Sequence, residues 1–280
     1  HATGTGKTVT AVEDAKSVGK RTLFIAHTKE LITQAKEKFD LLWKDIDTGL
    51  FMGDLKEEEA FVVCSSIQSI SENLEQFNKD DFKYLIIDEA HHATANSYGK
   101  VLDYFEPEFT LGLTATPERN DGENILNIFK NVAHKMDLET SIKNRHAAEI
   151  RCIRIKTDVD ISDVRINGIK YDSKDLESKL FVPERNKVIV DTYLNYVKDK
   201  RTVVFCASVN NAEEIAKLFK ANGIEAEAVS GSLKNSKRSK ILKDYEEGKI
   251  KVLCACDLLN EGWDSPKTEV LFMARQTMSK

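Results

Sequence analysis

Short runs of β-branched and aromatic residues alternate with stretches of helical spacing, and this alternation limits the possible folds more than any other feature of the chain. RTLFIA, FVVCSS, YLIID and FTLGLTAT in the first half, and EIRCIRI, TVVFCAS, IKVLCACD and TEVLFMA in the second, read as strands. Between them, ELITQAKEKFDLL carries Leu31, Ile32, Ala35, Phe39 and Leu42 on one helical face. NNAEEIAKLFKANG does the same with Ala212, Ile215, Ala216 and Phe219 before an Asn-Gly stop. The punctuation predicts an α/β fold of mainly parallel sheets flanked by helices, with ligands at the carboxyl ends of the strands. Regularity is weakest over 118–148, which puts a domain boundary near 145 and divides the chain into 1–145 and 146–280. Residues 156–185 are polar and mixed, and KEEE at 56–59 reads as a solvated turn or helix end.

Composition excludes several classes. A chain of 280 residues, 41% hydrophobic and 31% charged, has enough apolar material for one large or two ordinary globular domains and is unlike a disordered chain. No apolar run approaches the ~20 residues of a membrane-spanning helix, and the first residues lack the pattern of a signal peptide. Cysteines at 64, 152, 206, 254 and 256 form no CxxC pair, which points to a reducing, cytoplasmic setting. Cys254 and Cys256 share one face of a strand, where small buried thiols are common. The net charge of −5 means that any nucleic acid must be held by local basic and amide-rich surfaces.

The opening HATGTGKTVT contains the second half of a phosphate-binding loop. Gly4 and Gly6 let backbone amides face phosphates, Lys7 reaches the β- and γ-phosphates, and the Thr8 hydroxyl suits Mg²⁺. Thr3, Gly4, Thr5, Gly6, Lys7 and Thr8 are therefore the expected nucleotide contacts. His1 stands where the strict pattern has its first glycine. Such a loop normally follows a buried strand, so the chain reads as beginning inside the motif.

A phosphate loop needs a carboxylate to orient Mg²⁺ and water, and FKYLIIDEAHH supplies one at the end of an apolar run. Asp88 would emerge at the strand's carboxyl end to hold Mg²⁺ directly or through water, and Glu89 would polarise the attacking water. Taken alone, an Asp-Glu pair is more simply an acidic strand end bonded to a neighbouring helix; GTGKT changes that balance. His91 and His92 do not make a zinc site, because adjacent histidines on a regular element cannot face one ion and no third ligand is suitably spaced.

ATGTGKT, FIAHTKELITQ, SSIQSI, DEAHH, LTATP, VVFCASVNNAEEIAKLF and CDLLNEGWDSP occur in an order that resembles motifs I, Ia, Ib, II, III, IV and V of the DEAD/DEAH-type helicases and translocases of superfamily 2. The pattern is most similar to the type III restriction helicase-like branch, which includes restriction-enzyme motor subunits. The resemblance covers nearly the whole chain. It implies two tandem RecA-like P-loop domains, ATP and Mg²⁺ as cofactors, and nucleic acid, DNA ahead of RNA, as partner. Nuclease or specificity domains elsewhere in the full-length protein would fit it, and a membrane would not. Carried over by position, it implies nucleic-acid contacts at Thr28, Glu30, Ser65, Ser66 and Gln68 in the first half and at Ser208 and Asn211 in the second. Thr28, Ser208 and Asn211 also have the plainer reading of helix N-terminal residues. His91, Thr114 and Thr116 are implied to couple ATP state to strand grip, and Gly262 and Asp264 to face the nucleotide. Trp263 reads as packing, with base stacking as the alternative.

Two other readings remain open at this level: a nucleotide-gated nucleic-acid clamp that does not hydrolyse ATP efficiently, and an RNA helicase of the same superfamily. A small-molecule P-loop kinase has no use for a second α/β half bearing NEGWDSP. The arginine-bearing motif VI is expected beyond Lys280, with Arg275 only in the approach to it. The sequence thus reads as a piece of a longer motor, poorly active without its flanking segments.

Overall fold

In the computed structural model, residues 1, 4–116, 125–155, 166–167, 170–171, 183–256, 258, 263 and 265–275 are described. The chain divides into two units, His1–Cys152 and Ile153–Lys280.

In the first unit the apolar runs become strands of one sheet: β1 (Thr22–Ala26), β2 (Thr48–Met52), β3 (Leu55–Lys56), β4 (Val62–Ser66), β5 (Tyr84–Ile87) and β6 (Phe109–Gly112), in the order β3-β2-β4-β1-β5-β6. All neighbours are parallel except β3, which returns antiparallel along β2. Strand side chains alternate between faces, so continuous apolar runs imply burial on both sides. Leu23, Ile25, Val63, Leu85 and Ile87 pack with Ile67 and Ile70 of α3 (Ile67–Glu72) and Tyr98 and Val101 of α4 (Asn96–Tyr104). On the other face, Phe24, Val62, Cys64 and Ile86 meet Ala11, Val12 and Ala15 of α1 (Lys7–Val18) and Ile32, Ala35 and Phe39 of α2 (Lys29–Leu42). Each large apolar side chain so buried contributes roughly 1.5–3 kcal/mol. Two short helices follow, α5 (Leu126–Phe129) and α6 (Leu138–Lys143); Asp137 caps the second through Thr140 N at 2.8 Å.

The second unit contains a short antiparallel pair, β7 (Ile166–Asn167) with β8 (Lys170–Tyr171). Its main sheet is β9 (Thr202–Cys206), β10 (Ala226–Ser230), β11 (Val252–Cys256) and β12 (Val270–Ala274), all parallel, in the order β10-β11-β9-β12. Helices α7 (Pro183–Thr192) and α8 (Val209–Ala221) cover one face through Ile189, Val190, Ala212, Ile215 and Phe219. Helix α9 (Asn235–Glu246) covers the other through Ile241 and Tyr245. Cys254 and Cys256 lie together in the first of these cores, where burial and the neighbouring Cys206 push the Cys254 thiol up.

The sheets follow the sequence pattern with two departures. β2 and β10, and the two-residue β3, β7 and β8, are strands that the apolar runs did not announce. EIRCIRI forms none: residues 149–155 lie outside regular structure, with Ile150, Ile153 and Ile155 65%, 63% and 41% exposed. High strand propensity is insufficient without a neighbouring strand to accept the ladder.

Two backbone positions generate predictions. At Gly49 of β2, a Cβ would collide with Glu57 O and stand 2.8 Å from Ala60 Cβ. Gly49→Ala is expected to destabilise the chain by roughly 1–3 kcal/mol, read as a lower urea midpoint at unchanged slope. Glu89 adopts a left-handed conformation, φ 48° and ψ 52°, which costs an ordinary residue ~1–2 kcal/mol and asparagine less. Glu89→Asn is therefore expected to raise the urea midpoint; a lowered midpoint would show that the Glu89 side chain is held by more than its backbone strain.

Candidate functional site

Parallel strands deliver their following residues to one edge of a sheet, and in the first unit β5 and β6 bring three segments of sequence together there. The loop before α1 turns through Gly4 and Gly6, at φ 78° and 82°. Gly6 is the N-cap, and Lys7 opens the helix. A left-handed Gly6 is what permits the loop to enter a helix whose first amides face outward. His1 N donates to Thr114 O at 2.9 Å, placing the start of this loop beside the chain leaving β6.

Asp88 follows β5 and is 4% exposed. Its amide donates to Ile25 O of β1 at 2.9 Å, and its Oδ1 accepts from Glu89 N at 3.0 Å. Burial holds the Asp88 carboxyl above the usual carboxylate range, and the Glu89 charge adds to this. The Glu89 amide, Lys7 and His27 oppose the rise. Ala90 N donates to Leu113 O at 2.7 Å, and Leu113 N to Ile87 O at 2.9 Å, so the turn after β5 is stitched to the end of β6. His91 Nδ1 then lies 3.2 Å from Glu89 Oε2 and 3.2 Å from Thr114 Oγ1, and Thr114 Oγ1 accepts from Thr116 N at 3.0 Å.

Lys7, Asp88, Glu89, His91, Thr114 and Thr116 are thus assembled around one edge, with Thr8 in the first turn of α1. The donor set fits a polyphosphate with a divalent cation. It combines glycine turns at a helix start, a lysine, a helix-turn threonine and a nearly buried carboxylate that burial and a like charge leave short of positive partners. Thr3, Gly262 and Asp264 lie outside the described residues.

The residues expected at nucleic acid divide into two groups. Thr28 caps α2, its hydroxyl accepting from Leu31 N at 3.3 Å, and Ser66 caps α3, accepting from Ser69 N at 3.1 Å. Ala26 pairs with Ser66 in the β1–β4 register, so these caps are neighbours on the same sheet edge, with Glu30 and Gln68 exposed beside them. In the second unit Ser208 caps α8, accepting from Asn211 N at 3.1 Å. Two residues need correction. Ser65 is fully buried and donates to Phe51 O at 2.9 Å, and Asn211 is 2% exposed and donates to Asn186 Oδ1 at 3.0 Å. Both belong to the interior, because a polar side chain at the end of a buried strand or inside a helix face must find protein partners. Trp263 packs against Tyr245 with ring centroids 6.2 Å apart, on the core beneath α9. His27, half-buried between β1 and the α2 cap, was not singled out by the sequence although it stands next to Asp88; its place just before a helix cap was the available signal.

Comparison with known proteins agrees with this geometry. Residues 1–119 match the family described as type III restriction enzyme, res subunit, and residues 184–278 match the helicase conserved C-terminal domain. The putative ATP-dependent helicase IRC3 of Saccharomyces cerevisiae is 28% identical over 93% of this chain and 39% of its own length. The DNA 3'-5' translocase XPB2 of Sulfurisphaera tokodaii is 25% identical over 94% of this chain and 67% of its own length. Among solved structures, S. cerevisiae Dbp5 bound to Gle1 and IP6 superposes with a TM-score of 0.65 at 18% identity, covering 97% of this chain and 67% of that one; this likeness concerns the fold. The chain spans 39% to 58% of the length of the first curated relatives that it matches. With the phosphate loop, the DEAHH turn and both family matches in their expected order, the chain is similar to the helicases and translocases of superfamily 2, on their type III restriction helicase-like side.

Proposed function

We propose that this chain is the ATPase core of a nucleic-acid-dependent helicase or translocase acting on DNA. The observation that carries the reading is the convergence of Lys7, Asp88, Glu89, His91 and Thr114 at the carboxyl ends of β5 and β6. Residues 1–145 serve as the ATP-binding domain and 146–280 as the second motor domain. The DNA preference rests on the names of the relatives, above all the archaeal translocase.

In this reading Lys7 and the amides after Gly4 and Gly6 hold the terminal phosphates of ATP, while Thr8 and Asp88 hold the accompanying Mg²⁺. The cation, when bound, neutralises charge that develops on the transferring phosphoryl group. Glu89 orients the attacking water and takes its proton. His91 Nδ1 meets both that carboxylate and the Thr114 hydroxyl, so a shift of the segment after β6 reaches Glu89 through one ring nitrogen. Thr28, Glu30, Ser66, Gln68 and Ser208 meet the sugar-phosphate backbone, whose hydrogen bonds position a strand without reading its sequence. Gly262 and Asp264 keep the nucleotide-facing role implied by motif V. A cytoplasmic setting belongs to the same reading and is supported by five cysteines that form no disulfide.

Steady-state ATPase assays with duplex DNA, single-stranded DNA, RNA or no nucleic acid test the class. Lys7→Ala is expected to weaken ATP binding, whereas Glu89→Gln should leave binding largely intact and reduce turnover by ~10²–10⁴. Equal losses of ATP affinity in the two variants would remove the assigned roles, and ATP binding without turnover in the full-length protein that carries this chain would favour the clamp. Binding to DNA is expected to weaken steeply between low and physiological salt and to vary little with base sequence. Fluorescence anisotropy on unrelated duplexes at several salt concentrations checks this, and salt-insensitive, sequence-selective binding would point to a recognition module.

A further inference from the structure

Three imidazoles connect the entry of α2 to Glu89. His27 follows the last residue of β1 and immediately precedes Thr28, the cap of α2. Its ring meets His92 edge-on, with centroids 4.9 Å apart, and His92 lies against His91 at 4.2 Å. His91 completes the path with its contacts to Glu89 and Thr114, each at 3.2 Å. All three rings are half-buried, so the path runs through packed protein and not through open solvent. The β1–β5 pairing holds it in place, since Asp88 N is bonded to Ile25 O two residues before His27.

We propose that His27 and His92 are positioning residues that couple strand contact at the start of α2 to the placement of the Glu89 carboxylate. The proposal rests on the functional reading above and gives it a route. A nucleic-acid backbone engaging Thr28 and Glu30 acts on the chain segment that carries His27. Close-packed rings do not deform continuously, so a displacement of one is passed to the next as a change of position. At the far end, the left-handed backbone of Glu89 has few alternatives, and the orientation of its side chain depends on the imidazole that holds it. The linkage is reciprocal for binding: whatever lets DNA favour the ATP-ready arrangement also lets ATP tighten DNA.

The test uses the full-length protein that carries this chain, ATP and a short DNA duplex. Basal and DNA-stimulated turnover, the KM for ATP, and DNA affinity with and without a non-hydrolysable ATP analogue are measured for wild type, His27→Ala, His27→Phe and His92→Ala. The two alanine variants are expected to keep basal turnover, ATP KM and nucleotide-free DNA affinity within about twofold. Stimulation by DNA should fall about tenfold, inside the ~5–150-fold span of ordinary allosteric coupling, and the tightening of DNA by the analogue should fall with it. His27→Phe, which keeps an edge-on ring, should recover most of both. Full stimulation in His27→Ala, beside a stimulated wild type, would overturn the relay and leave the ATPase reading intact. Equal loss of basal and stimulated turnover with a lowered melting temperature would reduce the histidines to structural packing and also overturn it. A wild type that shows no stimulated turnover would overturn the functional reading and the relay together.

Discussion

The parallel pairing of β5 with β1 on one side and β6 on the other is the constraint from which the site follows. Asp88 N on Ile25 O, Leu113 N on Ile87 O and Ala90 N on Leu113 O continue the ladder beyond the strands proper and fix where each chain leaves the sheet. A slip of one residue in β5 would exchange the faces of Leu85 and Ile87 and draw Asp88 into the strand, so the two apolar cores guard the register of the carboxylate. The same edge carries the caps Thr28 and Ser66, because β1 and β4 end there in register. On the proposed reading, phosphate chemistry and strand contact are therefore placed side by side by one sheet.

What this edge holds is costly to fold. Asp88 is nearly buried beside a second carboxylate, and burial and that neighbour both raise its pKa. Glu89 carries left-handed backbone dihedrals that an L-residue seldom adopts outside turns. Such departures from local preference cluster where function sets the geometry, and the surrounding structure must over-determine them. The buried polar pair Asn186 and Asn211 in the second unit offers a contrast. It is neutral, and one amide donates to the other's carbonyl; the arrangement stiffens the packing of α7 on α8 without storing like-charge repulsion.

Much of this was legible in the sequence because it depends on short-range pattern. Glycine spacing, an acid after an apolar run, and a hydroxyl residue before an amphipathic helix each specify local structure, and Lys7, Asp88, Thr28, Ser66 and Ser208 stand where those patterns put them. The rest depends on which strands are neighbours. Ser65 and Asn211 looked like surface contacts until β2 and α7 supplied their partners. β2 and β10 were hidden by Gly49 and Glu227, residues that weaken a strand pattern without preventing a strand. The ring contact of His27 with His92 joins residues far apart in sequence, and only the β1–β5 register brings them within reach. The left-handed φ of Glu89 sits beside the stitch from Ala90 N to Leu113 O, a contact that no local propensity contains.

An acidic chain that handles phosphates must concentrate its positive charge, and the helix starts show how. The helix dipole favours anions in the first turn and disfavours cations by ~0.3–1 kcal/mol each. Yet Lys7 opens α1 and Lys29 opens α2, and α1 has no acidic residue in its first turn. A cation and a row of outward amides at the same helix end repel one another in the unliganded fold, and a bound phosphate relieves both at once. The capping hydroxyls of Thr28 and Ser66 add to this without giving up their structural role, since a hydroxyl that accepts from a helix amide retains its own proton to donate. On the proposed reading, attraction to phosphate is thus written into the start of α1, whose local electrostatics are unfavourable until phosphate arrives, and into the capped start of α2, while the net charge of −5 keeps the remaining surface from competing with them.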